Sequence, residues 1–156
     1  MRKNLFFVLV LSLFFIGCKN DAKSTTPEVM DELTEVHSLE GAWELVSFLN
    51  YRDDGQVDSI KSSNDFKQMK MFSETKIMWS RLRTWDSLDW FGVGDYTYKD
   101  GILTENLEYG SKAMMERINA DKAWDWEITI DENSFTQITR DSLGQPVYAE
   151  IYNRVK

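Results

Sequence analysis

The sequence predicts an all-β protein, an eight-stranded up-and-down antiparallel barrel. Three observations predict it. Beyond Gly41, short runs rich in β-branched and aromatic residues alternate with turn signals. Three of the connections are only three residues long, as in hairpins that join neighbouring antiparallel strands. The runs number eight, and eight such strands close into a barrel that leaves no exposed sheet edge.

The strands follow in order. AWELVSFLNY (42–51) is the first, ended by Arg52-Asp53-Asp54-Gly55. FKQMKMF (66–72) and KIMWSRL (76–82) flank the turn Ser73-Glu74-Thr75. FGVGDYTY (91–98) and ILTENLEY (102–109) flank Lys99-Asp100-Gly101, where Gly101 suits the left-handed position of a type I turn with a bulge. AWDWEITI (123–130) and SFTQITR (134–140) flank Asp131-Glu132-Asn133, with Asn133 expected in the same left-handed role. PVYAEIYNRV (146–155) is the last strand, after Asp141-Ser142-Leu143-Gly144. Residues 110–122, GSKAMMERINADK, interrupt this meander and read as a short helix or a lid-like loop. A two-sheet sandwich is the alternative architecture, but the long inter-sheet connections it needs are not evident.

The N-terminus has a different character. Arg2 and Lys3 precede LFFVLVLSLFFI (5–16), an uncharged run suited to a signal-peptide core and too short to span a bilayer as a helix, which takes roughly 20 residues. Phe15-Ile16-Gly17-Cys18 follows. This order resembles the lipobox of bacterial lipoproteins, in which the cysteine is diacylated and becomes the new N-terminus; Phe15 departs from the usual Leu or Val. Cys18 is the only cysteine, and an unpaired cysteine in an exported chain calls for a separate fate. Two or three acyl chains anchor a protein stably. Lys19 stands where an Asp would favour inner-membrane retention in Gram-negative lipoproteins. The resemblance therefore implies a lipid anchor at Cys18 in the cell envelope, at the outer membrane.

KNDAKSTT (19–26) is polar and reads as a tether. Thr26-Pro27-Glu28 carries a capping hydroxyl, a first-turn proline and an acid, which predicts a short amphipathic helix over 28–37. The expected organisation is a leader (1–17), a tether (18–27) and a barrel domain with its N-terminal helix (28–156). Removing 17 of the 156 residues leaves 139, a length for one domain, and loss of Arg2 and Lys3 takes the formal charge from −8 to −10. Such acidity argues against nucleic acid as a partner. His37 is the only histidine and no thiol remains free, so a zinc site and a metal cofactor are not expected.

Gly41-Ala42-Trp43 opens the first strand, and Ile151-Tyr152-Asn153-Arg154-Val155 closes the last. A G-x-W at this place resembles the signature of lipocalins and related calycins. More of the chain, in K-x-x-K-M-F-S-E-T-K-I-M-W (67–79), G-D-Y-T-Y (94–98), L-T-E-N-L-E-Y (103–109) and E-I-Y-N-R-V (150–155), resembles bacterial lipocalin-like lipoproteins of undetermined ligand. The resemblance implies that Trp43 closes the barrel floor and that Arg154 lies over its ring, a cation–π contact of roughly 0.5–2 kcal/mol.

Several strands mix large aromatics with isolated polar groups, as in a pocket with orienting contacts. Trp79, Arg81, Tyr96, Glu105, Trp126, Gln137, Tyr148 and Glu150 are the candidate ligand-binding residues. Strict alternation puts Glu105 and Tyr109 on one face and Glu108 on the other. The opposite reading, aromatics filling the core with charges in solvent, stays open because a bulge exchanges inward and outward. No nucleophile elbow, phosphate-binding glycine loop or metal-ligand cluster is present, so catalysis is not expected. The sequence thus favours a lipid-anchored monomer holding a small, partly apolar or amphipathic ligand, and leaves lipid, pigment, tetrapyrrole and glycan undistinguished. The alternative is an envelope module with a filled barrel, binding protein or glycan through loops 83–90 and 110–122, with Trp85 and Trp90 as anchors, although the same two tryptophans equally suit the rim of a ligand barrel.

Overall fold

With one exception each strand pairs with the next along the chain, and the last returns to the first. The computed structural model describes residues 37–156. Its strands are β1 (Gly41–Tyr51), β2 (Val57–Lys61), β3 (Phe66–Phe72), β4 (Lys76–Arg83), β5 (Trp90–Lys99), β6 (Ile102–Gly110), β7 (Trp124–Ile130), β8 (Ser134–Arg140) and β9 (Pro146–Arg154). One helix, α1 (Lys112–Ala120), joins β6 to β7. Every pairing is antiparallel, and β1 pairs with β9 from Trp43↔Arg154 to Asn50↔Tyr148. The sheet is therefore closed, a barrel and not a sandwich. The described residues form one compact unit. The expected leader, the tether and, apart from His37, the helix over 28–37 lie outside the described residues.

One strand was not legible. β2 pairs with the second half of β1, and β3 pairs with the first half on the same edge. The two are a single barrel strand broken at 62–65, so eight strands still surround the interior. The expected strands are otherwise in place to within one residue at each end. α1 is capped by Ser111, whose hydroxyl accepts from the Met114 amide at 3.3 Å, and it buries Met114 and Ile118. It stands where β6 and β7 part company, since their pairing stops at Glu105↔Trp124.

Two turns differ from expectation. Lys99 pairs directly with Ile102, which leaves Asp100 and Gly101 as a two-residue turn with φ of 52° and 78°. Both central residues are left-handed, the type I′ signature that Asp-Gly favours, and no bulge is needed. Asn133 is not left-handed, because Asp100 is the one non-glycine with positive φ among the described residues. The Asp131 carboxylate holds that turn instead. It accepts from the Asn133 and Ser134 amides and from the Ser134 hydroxyl, at 2.7–2.8 Å, and these bonds lower its pKa, the hydroxyl contributing most.

Register shifts add one residue each at Val46 in β1, Glu108 in β6 and Val147 in β9. The shift at Glu108 turns Tyr109 outward, 53% exposed, while Glu105 and Leu107 face in. The expected sharing of a face by Glu105 and Tyr109 is thereby corrected: an extra residue breaks the alternation between them.

Candidate functional site

The two ends of the barrel are chemically different. At one end Trp43, Phe72, Phe135 and Tyr152 fill the interior. Phe135 meets Trp43 edge-on at 4.9 Å and stacks on Tyr152 at 4.6 Å. The Arg154 guanidinium lies 4.0 Å over the Trp43 ring. It also donates to the carbonyls of Ser38, Glu40 and Glu132 at 2.6–2.9 Å, which ties the chain entering β1 to the β7–β8 turn. The Trp43 indole donates to the Leu39 carbonyl at 2.7 Å. This end is plugged.

A polar layer lies above the plug. Lys70 of β3 is 2% exposed and donates to Glu105 of β6 at 2.6 Å and to Gln137 of β8 at 2.7 Å. Glu150 of β9, also 2% exposed, accepts from Arg81 of β4, Tyr152 and Gln137 at 2.5–2.9 Å. Gln68 donates to the Tyr152 hydroxyl at 2.6 Å and accepts from Arg81 Nε. Two cations and two carboxylates thus neutralise each other, joined by two amides, as buried charge requires. Burial pushes the Tyr152 phenol well above its ordinary pKa, and the neighbouring Glu150 charge adds to this, so the hydroxyl stays protonated and donates.

Above this layer a cavity of 280 Å³ opens at the other end. The volume is near the lower limit of small-molecule sites. Trp79, Trp90, Trp124 and Trp126 line it together with Phe48, Leu107, Met114 and Tyr148. Phe48 stacks on Tyr148 at 5.3 Å, and burial raises the pKa of the Tyr148 phenol. Arg83 lies 4.6 Å and Arg117 5.3 Å from the Trp90 ring, one from β4 and one from α1. In architecture the protein is a closed eight-stranded antiparallel barrel, plugged at one end and open at the other.

Among solved structures, this chain is similar to a lipocalin-like protein from Bacteroides uniformis, 15% identical, over 75% of this chain and 98% of that one with a TM-score of 0.49. It is also similar to an uncharacterized protein from Bacteroides eggerthii, 13% identical, over 76% of this chain and 100% of that one with a TM-score of 0.48. No family model and no curated protein matches the sequence.

Of the residues expected to meet a ligand, Trp79, Arg81, Glu105, Trp126, Gln137, Tyr148 and Glu150 line the cavity. Tyr96 does not. Its ring packs on Phe72 at 5.1 Å, and its hydroxyl donates to the Ser73 carbonyl at 2.7 Å. The reason is depth: antiparallel β5 brings Trp90 to the mouth and, at roughly 3.3 Å per residue, carries Tyr96 down to the plug. Trp90, expected either as a surface anchor or at the rim of a ligand barrel, lines the cavity, whereas Trp85 remains 60% exposed. Sequence reasoning missed Lys70 and Gln68. Their signal is that Phe66 and Phe72 share their parity in FKQMKMF and need the core. Phe48 was missed because the extra residue at Val46 resets the alternation of β1. Among the described residues no three His, Cys, Asp or Glu side chains stand together as metal ligands would.

Proposed function

We propose that this chain is a lipid-anchored envelope protein that takes a small, partly apolar ligand into the open end of its barrel. The observation that carries the reading is the contrast between the two ends. One is filled by stacked aromatics, while the other keeps a 280 Å³ cavity walled by four of the six tryptophans. Aromatic walls over a fixed polar floor suit a ligand with an apolar body and a few hydrogen-bonding atoms. The sequence pattern ending in Cys18 supports the anchor, and Lys19 supports the outer membrane.

Native mass spectrometry of the protein purified from its host envelope tests the container. A co-purified small molecule, together with a tryptophan fluorescence change when it is stripped and returned, is the expected result. Absence of both discards the ligand reading and leaves the alternative module, for which Trp85 is the remaining exposed anchor. Attachment is tested separately. Cys18→Ser is expected to move the protein from the membrane fraction to the soluble fraction, and retention of the variant in membranes overturns the anchor.

A further inference from the structure

The buried groups of the cavity that lack a hydrogen-bond partner are one-sided. Each acceptor side chain of the polar floor already has a donor: Glu105 has Lys70, Glu150 has Arg81, Gln68 has Arg81, and Gln137 has Lys70. The buried nitrogens that lack a partner are all donors. Arg83 Nε, Trp90 Nε1 and Trp126 Nε1 are buried and have no partner among the described residues. Guanidinium and indole nitrogens donate and never accept. Buried donors without partners are unfavourable, and an acceptor brought by a ligand relieves them.

Charge points the same way. Lys70, Arg81, Arg83 and Arg117 line the cavity against only Glu105 and Glu150, in a chain whose formal charge is −8. Both carboxylates are consumed in the polar floor. Arg83 is held from outside by Asp86 at 2.7 Å, which fixes the guanidinium against Trp90. The Arg117 guanidinium has no ion pair or hydrogen bond among the described residues and faces the same indole from α1. The mouth is thus a cationic clamp around an aromatic plate.

Resting on the container reading above, we propose that the ligand is a small amphipathic organic anion. Its flat apolar body lies against Trp79, Trp124 and Leu107. Its acceptor-rich head, of the carboxylate or sulfonate kind, sits among Arg83, Arg117 and the Trp90 indole.

Two probes that share a skeleton separate charge from fit: anilinonaphthalene sulfonate, and the uncharged N-phenylnaphthylamine. Both are titrated by fluorescence into the chain from residue 19 onward, which keeps the whole barrel, and into its Arg83→Gln and Arg117→Gln variants. The sulfonate is expected to bind roughly tenfold more tightly than the neutral amine, since charge-assisted hydrogen bonds are the strong ones. Each variant is expected to weaken the sulfonate about fivefold and leave the amine unchanged, with circular dichroism reporting an intact fold. Equal affinity for the two probes, or equal losses for both in the variants, overturns the anion while the container stands. If neither probe binds, the container reading falls with it.

Discussion

Lys70→Met is expected to lower the unfolding free energy by about 3–5 kcal/mol, because it leaves Glu105 charged in the interior without its partner. Glu105 is 2% exposed and Lys70 supplies its ion pair at 2.6 Å. The same substitution removes the donor that holds Gln137 in place, and so loosens the link to Glu150. Urea unfolding of the single variant and of the Lys70→Met/Glu105→Leu pair separates the two contributions. The double variant should recover most of the loss, since replacing a buried pair by apolar groups is often neutral or stabilising. A single-variant loss under about 1 kcal/mol, the range of an exposed pair, would mean that solvent reaches this layer.

Gly94→Ala is expected to cost at least about 3 kcal/mol, the top of the usual range for overpacking, because the obstruction is backbone. A Cβ at Gly94 would stand 2.1 Å from the Asn106 carbonyl oxygen and 2.6 Å from the Leu107 Cα. Neither atom can swing aside without parting β5 from β6 beside the extra residue at Glu108. Gly92, on the same inner face, provides the contrast. There a Cβ meets the Leu107 and Trp79 side chains at 2.9 and 3.1 Å, and side chains can yield. Thermal unfolding should show Gly94→Ala as the far more damaging of the two. Gly92→Ala should keep the fold but crowd Trp79 into the cavity and weaken ligand binding. Equal losses at the two positions would refute the distinction.

Most of the barrel was legible because its turns are local chemistry. Asp100-Gly101 and the Asp131 cap specify tight reversals between alternating runs, and three-residue gaps leave little choice of partner. β2 was illegible because VDSIK is polar and mostly exposed, paired along β1 and lacking a core face of its own. The site was legible wherever alternation ran unbroken, as at Trp79 and Arg81 or Tyr148 and Glu150. It failed where polarity contradicted position. Lys70 and Gln68 read as solvent-facing residues, and their burial is possible only because carboxylates and amides arrive from strands distant in sequence. Closure itself rested on two residues at opposite ends of the chain, Trp43 and Arg154, and they meet.

The extra residues at Val46 and Glu108 interrupt their strands between the aromatic plug and the open end. In β1 the inward positions are odd at Trp43 and Leu45, then even at Phe48. Each such strand therefore carries two independent reading frames. The frame nearer the opening can be rewritten, or shifted by a residue, without disturbing which side chains seal the base. A single closed sheet thus behaves as a constant foundation carrying a variable rim.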